Sequence, residues 1–256
     1  MIYIGTSPTD KKTGGGIGKS AYNTNYDDNA YVGYMYGTPG SDTYEETHAN
    51  EHDSTIKQYL DDWYEENLSS YSGYLADTGF CNDRSVAPEP EIWDEYDTAL
   101  GYAGNYTLYG VTVRLTDTYN FLTKENAQPQ FKCPNEDNDL FTTNTSPKGN
   151  KALIYPIGLI TADEVAYAGG PVGITNRKMY LTKNSFHYTM SPMYFNDYNV
   201  SGNVFTSGSS SNSSEVYSEK NVFPVINLRS NVELSSQLPS GCTKLDGTVN
   251  CPYIIK

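Results

Sequence analysis

Residues Lys178–Arg229 read KMYLTKNSFHYTMSPMYFNDYNVSGNVFTSGSSSNSSEVYSEKNVFPVINLR, and this stretch decides the fold class. Short runs mixing aromatic, β-branched and hydrogen-bonding residues (MYLT, FHYTM, GNVFTS) alternate with turn-forming Asn, Ser and Gly. The stretch closes on the apolar VFPVINL. Such runs, bounded by turn residues, are strand signals. The low-complexity SGSSSNSS at 207–214 reads as a flexible turn rather than a domain linker, because strand-like sequence resumes on both sides. Tyr and Trp offer large contact area at low entropic cost, and Ser, Gly and Asn adapt their hydrogen bonds. The stretch therefore has the composition of a surface that binds rather than one that reacts.

Working outward, LIYPIGLI at 153–160 is expected to be a buried strand. In the following TADEVAYAGG, Thr161 and Glu164 have capping-box spacing, and Gly169 can stop a short helix. Polar loops are expected over 124–150 and 77–105, with strands at 106–115 (YTLYGVTVRL) and 30–37 (AYVGYMYG). One long helix is expected, from Asp53 to Leu68 (DSTIKQYLDDWYEENL). Ile56, Leu60, Trp63 and Asn67 share a face of it, Tyr59 and Tyr64 lie beside them, and Asp53 or Ser54 can cap its start. Its acids Asp61, Asp62, Glu65 and Glu66 are expected on a wet face. A final strand is expected in PYII. Few helices, many short strands and long loops make an α+β pattern, and alternating βαβ units are absent. The chain is read as one domain over 1–256, with 152–256 its strand-rich, ligand-displaying half.

With 256 residues the chain is long enough to bury a substantial core. Its 24 Tyr against 8 Phe and 2 Trp suggest broad, partly solvated surfaces, because a tyrosine packs its ring while its hydroxyl stays wet. A formal net charge of -14, with no basic cluster, argues against nucleic acid and anionic membranes as partners. No apolar run approaches the roughly 18 residues needed to span a bilayer, and Met1 leads straight into IYIGTSPTD without a signal peptide. The cysteines are Cys81, Cys133, Cys242 and Cys251. A cytosolic chain would keep all four as free thiols. The preferred reading is an exported protein with two disulfides, 81–133 and 242–251. No CxxC accompanies them, so a zinc site is not expected.

Several motifs tempt. GGGIGKS at 14–20 nearly spells a phosphate-binding loop, but the pattern's first Gly is Thr13, no apolar strand precedes it and a poor helix former follows. His48 and His52 have a helical metal-ligand spacing, yet ETHANEHD just precedes a helix cap and reads as a solvated loop. KLDGTVN at 244–250 has too little ligand charge for calcium and reads as a turn. No spacing selects a glycosidase carboxylate pair, no serine has a nucleophile-elbow setting, and no cysteine has a nearby histidine to activate it. No cofactor, metal or catalytic residue is assigned, and the chain is not expected to be an enzyme.

Several longer phrases carry a resemblance: NTNYDDNAYVGYMYGTPGSDTYEETHAN, STIKQYLDDWYEENL, YLADTGFCNDRS, PQFKCP, YPIGLITADEVAYAGG, YTMSP and FPVINL. Together they resemble a family of uncharacterised Firmicutes-type surface proteins that begin with a prepilin-like leader and hydrophobic helix. That resemblance implies a soluble head whose membrane attachment would come only through a leader missing here. The C-terminal half is similar to C-type-lectin-like domains, including the variable proteins of diversity-generating retroelements and relatives of the formylglycine-generating enzymes. Where those families read Trp before TMSP and Gly-Val-Arg before PVINL, this chain has Tyr188 and Asn221-Val222-Phe223. The copper-binding cysteines of the formylglycine-generating enzymes have no counterpart, so that activity is not carried over. The resemblance implies a C-type-lectin-like fold whose terminal strands display a ligand surface. Adenine-directed mutation of that surface would favour the Tyr, Ser, Asp, His and Phe that crowd Asn184–Asn221.

The expected function is thus an extracellular or cell-surface, adhesin-like binding domain for a protein or glycan on another cell. The expected contacts are Asn184, Phe186, His187, Tyr188, Tyr194, Asn196, Asp197, Tyr198 and Asn203, with Thr189–Pro192 and Val225–Leu228 as scaffold. Two alternatives are kept: a structural, pilin-like subunit that packs against its own copies in pilus assembly, and a glycan-active enzyme.

Overall fold

The computed structural model describes residues 2–3, 16–87, 101–116, 127–170, 186–196, 201–207, 212–244, 251 and 254–256. In chain order the first elements are β1 (Ile2–Tyr3), β2 (Gly18–Ser20), β3 (Met35–Tyr36), α1 (Tyr44–Thr47), β4 (His52–Asp53), α2 (Thr55–Asn67), β5 (Leu75–Ala76) and β6 (Phe80–Cys81). Then come β7 (Thr107–Leu108), α3 (Gly110–Leu115), α4 (Glu136–Asp139), β8 (Leu140–Phe141) and α5 (Ala162–Tyr167). The chain ends in β9 (His187–Asn196), β10 (Ser201–Ser207), β11 (Asn212–Glu215), β12 (Lys220–Val222) and β13 (Val225–Leu228). Single 3-10 segments occupy Asn29–Val32 and Ser69–Tyr74. This is an α+β arrangement with few helices and short strands in small sheets.

The largest sheet has strand order β11-β10-β9-β12-β2, and β7 pairs with the far end of β9. β9 and β10 are antiparallel, with Asn196 opposite Ser201 and Tyr194 opposite Asn203, and two irregularities interrupt their register. A second sheet runs β1-β13-β5. Between the two lies the apolar 153–160 run, where the structure departs from expectation. It is not a strand. Gly158 makes one bridge to Val225, Leu153 one to Thr143, and the Met190 amide donates to the Ile160 carbonyl. Leu153, Ile157, Leu159 and Ile160 are buried, yet Ile154 points outward. Pro156 has no amide hydrogen to give a ladder, and a Cβ on Gly158 would meet the Phe80 ring at 2.5 Å, so the segment is held by close packing.

Two other expected strands also differ. At 30–37 the chain forms a 3-10 turn started by the Asp28 carboxylate, which accepts from the Ala30 amide, and only Met35–Tyr36 is extended. At 106–115 only Thr107–Leu108 forms a strand, Tyr109 adds a single bridge to Val86, and Gly110–Leu115 is helical. Val and Thr there favour strands, but Val111, Thr112 and Leu115 lie at helical spacing on one buried face, and burial outweighs propensity. Gly18–Ser20, the end of the near-P-loop, is a strand paired with β12 rather than the start of a helix.

The two helices read from the sequence form, although on the face expected for α2 Trp63 is only half-buried and Asn67 is exposed. The Ser54 hydroxyl caps α2 by accepting from the Lys57 amide, and Ile56, Leu60 and Tyr64 are buried. Thr161 and Glu164 make both bonds of a capping box on α5, and Gly169 leaves the helix at φ 88°. Asp61 does not belong to the wet face: it is buried and accepts from the Lys57 ammonium at 2.7 Å, while Asp53 lies 3.1 Å from the same nitrogen. A buried Lys needs such partners, which explains an acid turned inward.

One cluster of buried side chains draws on segments from Tyr22 to Ile226. Much of the tyrosine excess lies inside it rather than on wet surfaces: Tyr22, Tyr34, Tyr64, Tyr109 and Tyr188 are each no more than 2% exposed. The hydroxyls of Tyr34, Tyr109 and Tyr188 reach main-chain acceptors, as Tyr34 does to Ile157 and Tyr109 to Asn29. Both expected disulfides are present, Cys81–Cys133 and Cys242–Cys251, and no cysteine is free.

The ETHANEHD segment is not a solvated loop. α1 carries His48 into the interior, against the rings of Tyr44, Tyr102 and Tyr109, while His52 stays exposed on β4. Burial, and then the charge of Arg84, hold the His48 pKa well below its ordinary value. The native ring therefore stays neutral where the unfolded chain takes up a proton, so stability is lost as pH falls below about 6.5. Burial instead raises the carboxyl pKa of Asp28, Asp61 and Asp139. That effect has the opposite sign, because the native state then takes up the proton first. Thermal melts of the parent and His48→Gln between pH 7.5 and 5 are expected to show a loss on acidification that is largely absent from the variant. Parallel curves would remove His48 as its source.

Candidate functional site

The expected contact residues divide into three groups. Asn184, Asp197 and Tyr198 lie outside the described residues, and Asn203 is described through its backbone in β10. His187 and Tyr188 are interior, each 1% exposed, and this corrects their placement on a surface. The Tyr188 ring packs edge-on against Tyr22, and its hydroxyl reaches the carbonyls of Glu215 and Ser218, both at 2.6 Å. His187 packs against Phe223, ring centroids 4.9 Å apart. Both belong to the scaffold, together with buried Thr189, Met190 and Ser191.

The third group stays accessible at the two ends of β9. Phe186 is 38% exposed where β9 begins, and its carbonyl accepts from the amide and side chain of Asn221. Tyr194 and Asn196 are half-buried at the other end, where cross-strand pairing sets Tyr194 beside Asn203 and Asn203 beside Glu215. Tyr194 stacks on Tyr106, centroids 6.4 Å apart, and packs on the small cluster of Ala87, Tyr106 and Leu108. Burial and then the Glu215 charge raise the Tyr194 phenol pKa, against a hydrogen bond with Ser213. Tyr194 thus anchors the sheet end while presenting part of its ring.

Two residues at this end were not singled out by the sequence. Tyr26 and Tyr217 are 46% and 48% exposed and meet edge to face, centroids 5.0 Å apart. The Tyr26 carbonyl accepts from the Gly202 amide, and Tyr217 follows Val216, whose amide donates to the Gly202 carbonyl. The pair therefore sits beside the start of β10. Each tyrosine lies among polar residues (NTNYDDN, NSSEVYSEK) without periodicity, so only tertiary structure joins them.

A different kind of geometry lies behind the Cys81–Cys133 bridge. A cavity of about 180 Å³ is lined by Asp83, Arg114 and Asp163 among others. Arg114 gives Nε and Nη2 to the two Asp163 oxygens at 2.8 and 2.6 Å, and its Nη2 is 2.8 Å from Asp83. Burial works against the Arg114 charge, but the bonds and charges of Asp163 and Asp83 outweigh it, and its pKa is raised. Phe131 and Tyr167, both well exposed, meet edge to face nearby. The three charged groups pair with one another, which suits a structural clamp rather than a reactive centre.

Among the described residues no three His, Cys, Asp or Glu side chains gather to hold a metal ion, and no helix is long and apolar enough to cross a membrane. The two disulfides are consistent with an extracellular location. Comparison with protein-family models, with curated proteins and with solved structures finds no match for this chain.

Proposed function

We propose that the chain is the globular head of an exported, cell-surface binding protein, adhesin-like and C-type-lectin-like in fold. It would hold a protein or glycan at the β9–β10–β11 end of its main sheet. The observation that carries this reading is the Tyr26–Tyr217 pair: two rings nearly half exposed, fixed against each other beside β10, at the same sheet end as Tyr194, Asn196 and Asn203. Exposed aromatic rings on a rigid sheet offer large contact area at small entropic cost, and adjacent Asn, Ser and Glu supply directional hydrogen bonds. Diversification of Asn184–Asn221 by a retroelement accords with this division, because β9 is buried from His187 to Met193 and turns partly accessible at Tyr194 and Asn196.

The test is a binding screen of the disulfide-bonded chain against immobilised glycans and surface-exposed proteins. A defined subset of ligands is expected to be retained, and to be lost when Tyr26 and Tyr217 are both alanine. A chain that retains no ligand from either panel contradicts the reading.

A further inference from the structure

A second recess lies away from the tyrosine pair. It is a cleft of about 660 Å³ between the 3-10 segment Ser69–Tyr74, β5, the 143–147 loop and residues 154–156. That size falls within the range of small-molecule sites. One wall is Tyr155, which stacks on buried Tyr64 with centroids 4.6 Å apart and planes 18° from parallel. Ile154, 67% exposed, adds an apolar patch. Ser69, Ser72, Thr145 and Asp77 bring hydroxyl and carboxylate groups to the same cleft. Asp77 is fixed by the Thr143 amide and hydroxyl, which both donate to its Oδ2.

Arg229 completes the set. Its main-chain amide donates to the Tyr74 carbonyl and its Nε to the Leu75 carbonyl at 2.8 Å, so the side chain is aimed from a fixed base. Arg84 and Arg114 are each paired with buried aspartates. Arg229, in contrast, forms no ion pair among the described residues, although the chain carries a formal charge of -14. A guanidinium held at Nε with its terminal nitrogens uncommitted is a planar fork suited to a carboxylate.

We propose that this cleft binds a carboxylate-bearing sugar, a hexuronic acid unit, with Tyr155 and Ile154 against the ring, the Ser and Thr hydroxyls on its hydroxyl groups and Arg229 on its carboxylate. This site is independent of the tyrosine pair. A neutral hexose would leave the Arg229 fork without its partner and binds more weakly for that reason.

The test uses the full disulfide-bonded chain with D-galacturonate and D-glucuronate, and with galactose and glucose as neutral controls. Saturation-transfer NMR and calorimetry are expected to show at least one uronate binding with a dissociation constant on the order of millimolar, as suits so small a ligand. The matching neutral sugar should bind at least tenfold more weakly. Arg229→Gln is expected to remove the preference, and Arg229→Lys to keep part of it through charge without the fork. Ser72→Trp, at an exposed position, is expected to block the cleft and provides a second route should Arg229→Gln fail to fold. Alanine at Tyr26 and Tyr217 is expected to leave uronate binding unchanged, so the failure of one site is distinguishable from the failure of the other. The absence of saturation transfer from both uronates, equal binding of their neutral parents, or uronate binding that survives both Arg229→Gln and Ser72→Trp would overturn the proposal.

Discussion

Replacing Arg84 by methionine is expected to destabilise the protein by about 3–5 kcal/mol, the usual consequence of removing one partner from a buried ion pair. Arg84 and Asp139 are both fully buried. The guanidinium gives Nε to Asp139 at 2.9 Å, Nη1 to the Met35 carbonyl at 2.9 Å and Nη2 to Asn50 at 3.0 Å, and it lies over the Phe141 ring. It therefore joins β3, the Asn50 turn and the α4–β8 segment through one group. Burial already raises the Asp139 pKa in spite of Arg84. Without the arginine, the carboxylate would face the interior with the Arg84 amide and the Tyr44 hydroxyl as its remaining donors.

The second replacement in the cycle, Asp139→Asn, is expected to return part of the loss when combined with Arg84→Met, because the uncompensated charge is then gone. Urea unfolding followed by circular dichroism measures all four corners of the cycle. At this chain length the single Arg84→Met change corresponds to a melting-temperature drop of about 6–20 °C. A loss below about 1 kcal/mol would show that the pair is solvated in solution and not the clamp described.

The second large effect concerns the disulfides, which are expected to be unequal. Cys81–Cys133 closes 52 residues and Cys242–Cys251 closes 9. In the chain-entropy account stabilisation grows with the logarithm of loop length, so the long bridge is worth about 1.5 kcal/mol more than the short one at room temperature. Cys81 also begins the run that leads to Arg84, and β6 pairs with β8, whose neighbour is Asp139. Opening the long bridge loosens the polar clamp as well as the loop. Cys81→Ser with Cys133→Ser is expected to cost about 2–4 kcal/mol, and Cys242→Ser with Cys251→Ser clearly less. Chemical denaturation of both paired variants under oxidising conditions decides it. A larger loss from the short bridge would contradict the argument.

The sequence exposed those parts of the fold whose signals are local. The Ser54 cap with Ile56 and Leu60 specifies α2 within its own residues, although its buried face turns to Tyr64 rather than to the expected Trp63 and Asn67, and Thr161 with Glu164 specify the start of α5. Both disulfide pairings followed from where the cysteines stand along the chain. The failures share a cause. A short apolar run such as LIYPIGLI signals burial but not the backbone that achieves it, and here Pro156 and the contact of Gly158 with Phe80 hold it as irregular chain. Val111 and Thr112 suggested a strand because propensity was weighed without the buried face they share with Leu115. His48 looked solvated among acids, yet its place is set by Tyr102 and Tyr109, far along the chain. Alternation along β9 could not tell a displayed His187 or Tyr188 from a buried one, because the rings that cover them, Phe223 and Tyr22, come from distant parts of the chain. Tyr26 and Tyr217 lie 191 positions apart by their numbering and become one feature only through Gly202.

The most direct measurement is the affinity of the Tyr26→Ala, Tyr217→Ala double variant for the ligand retained by the parent chain, taken beside its melting temperature. At least a 30-fold loss of affinity is expected, as for a binding hot spot, with the melting temperature changed by no more than about 3 °C. Unchanged affinity, or a fall in melting temperature as large as that expected for Arg84→Met, would contradict the claim that this sheet end is a ligand-binding surface.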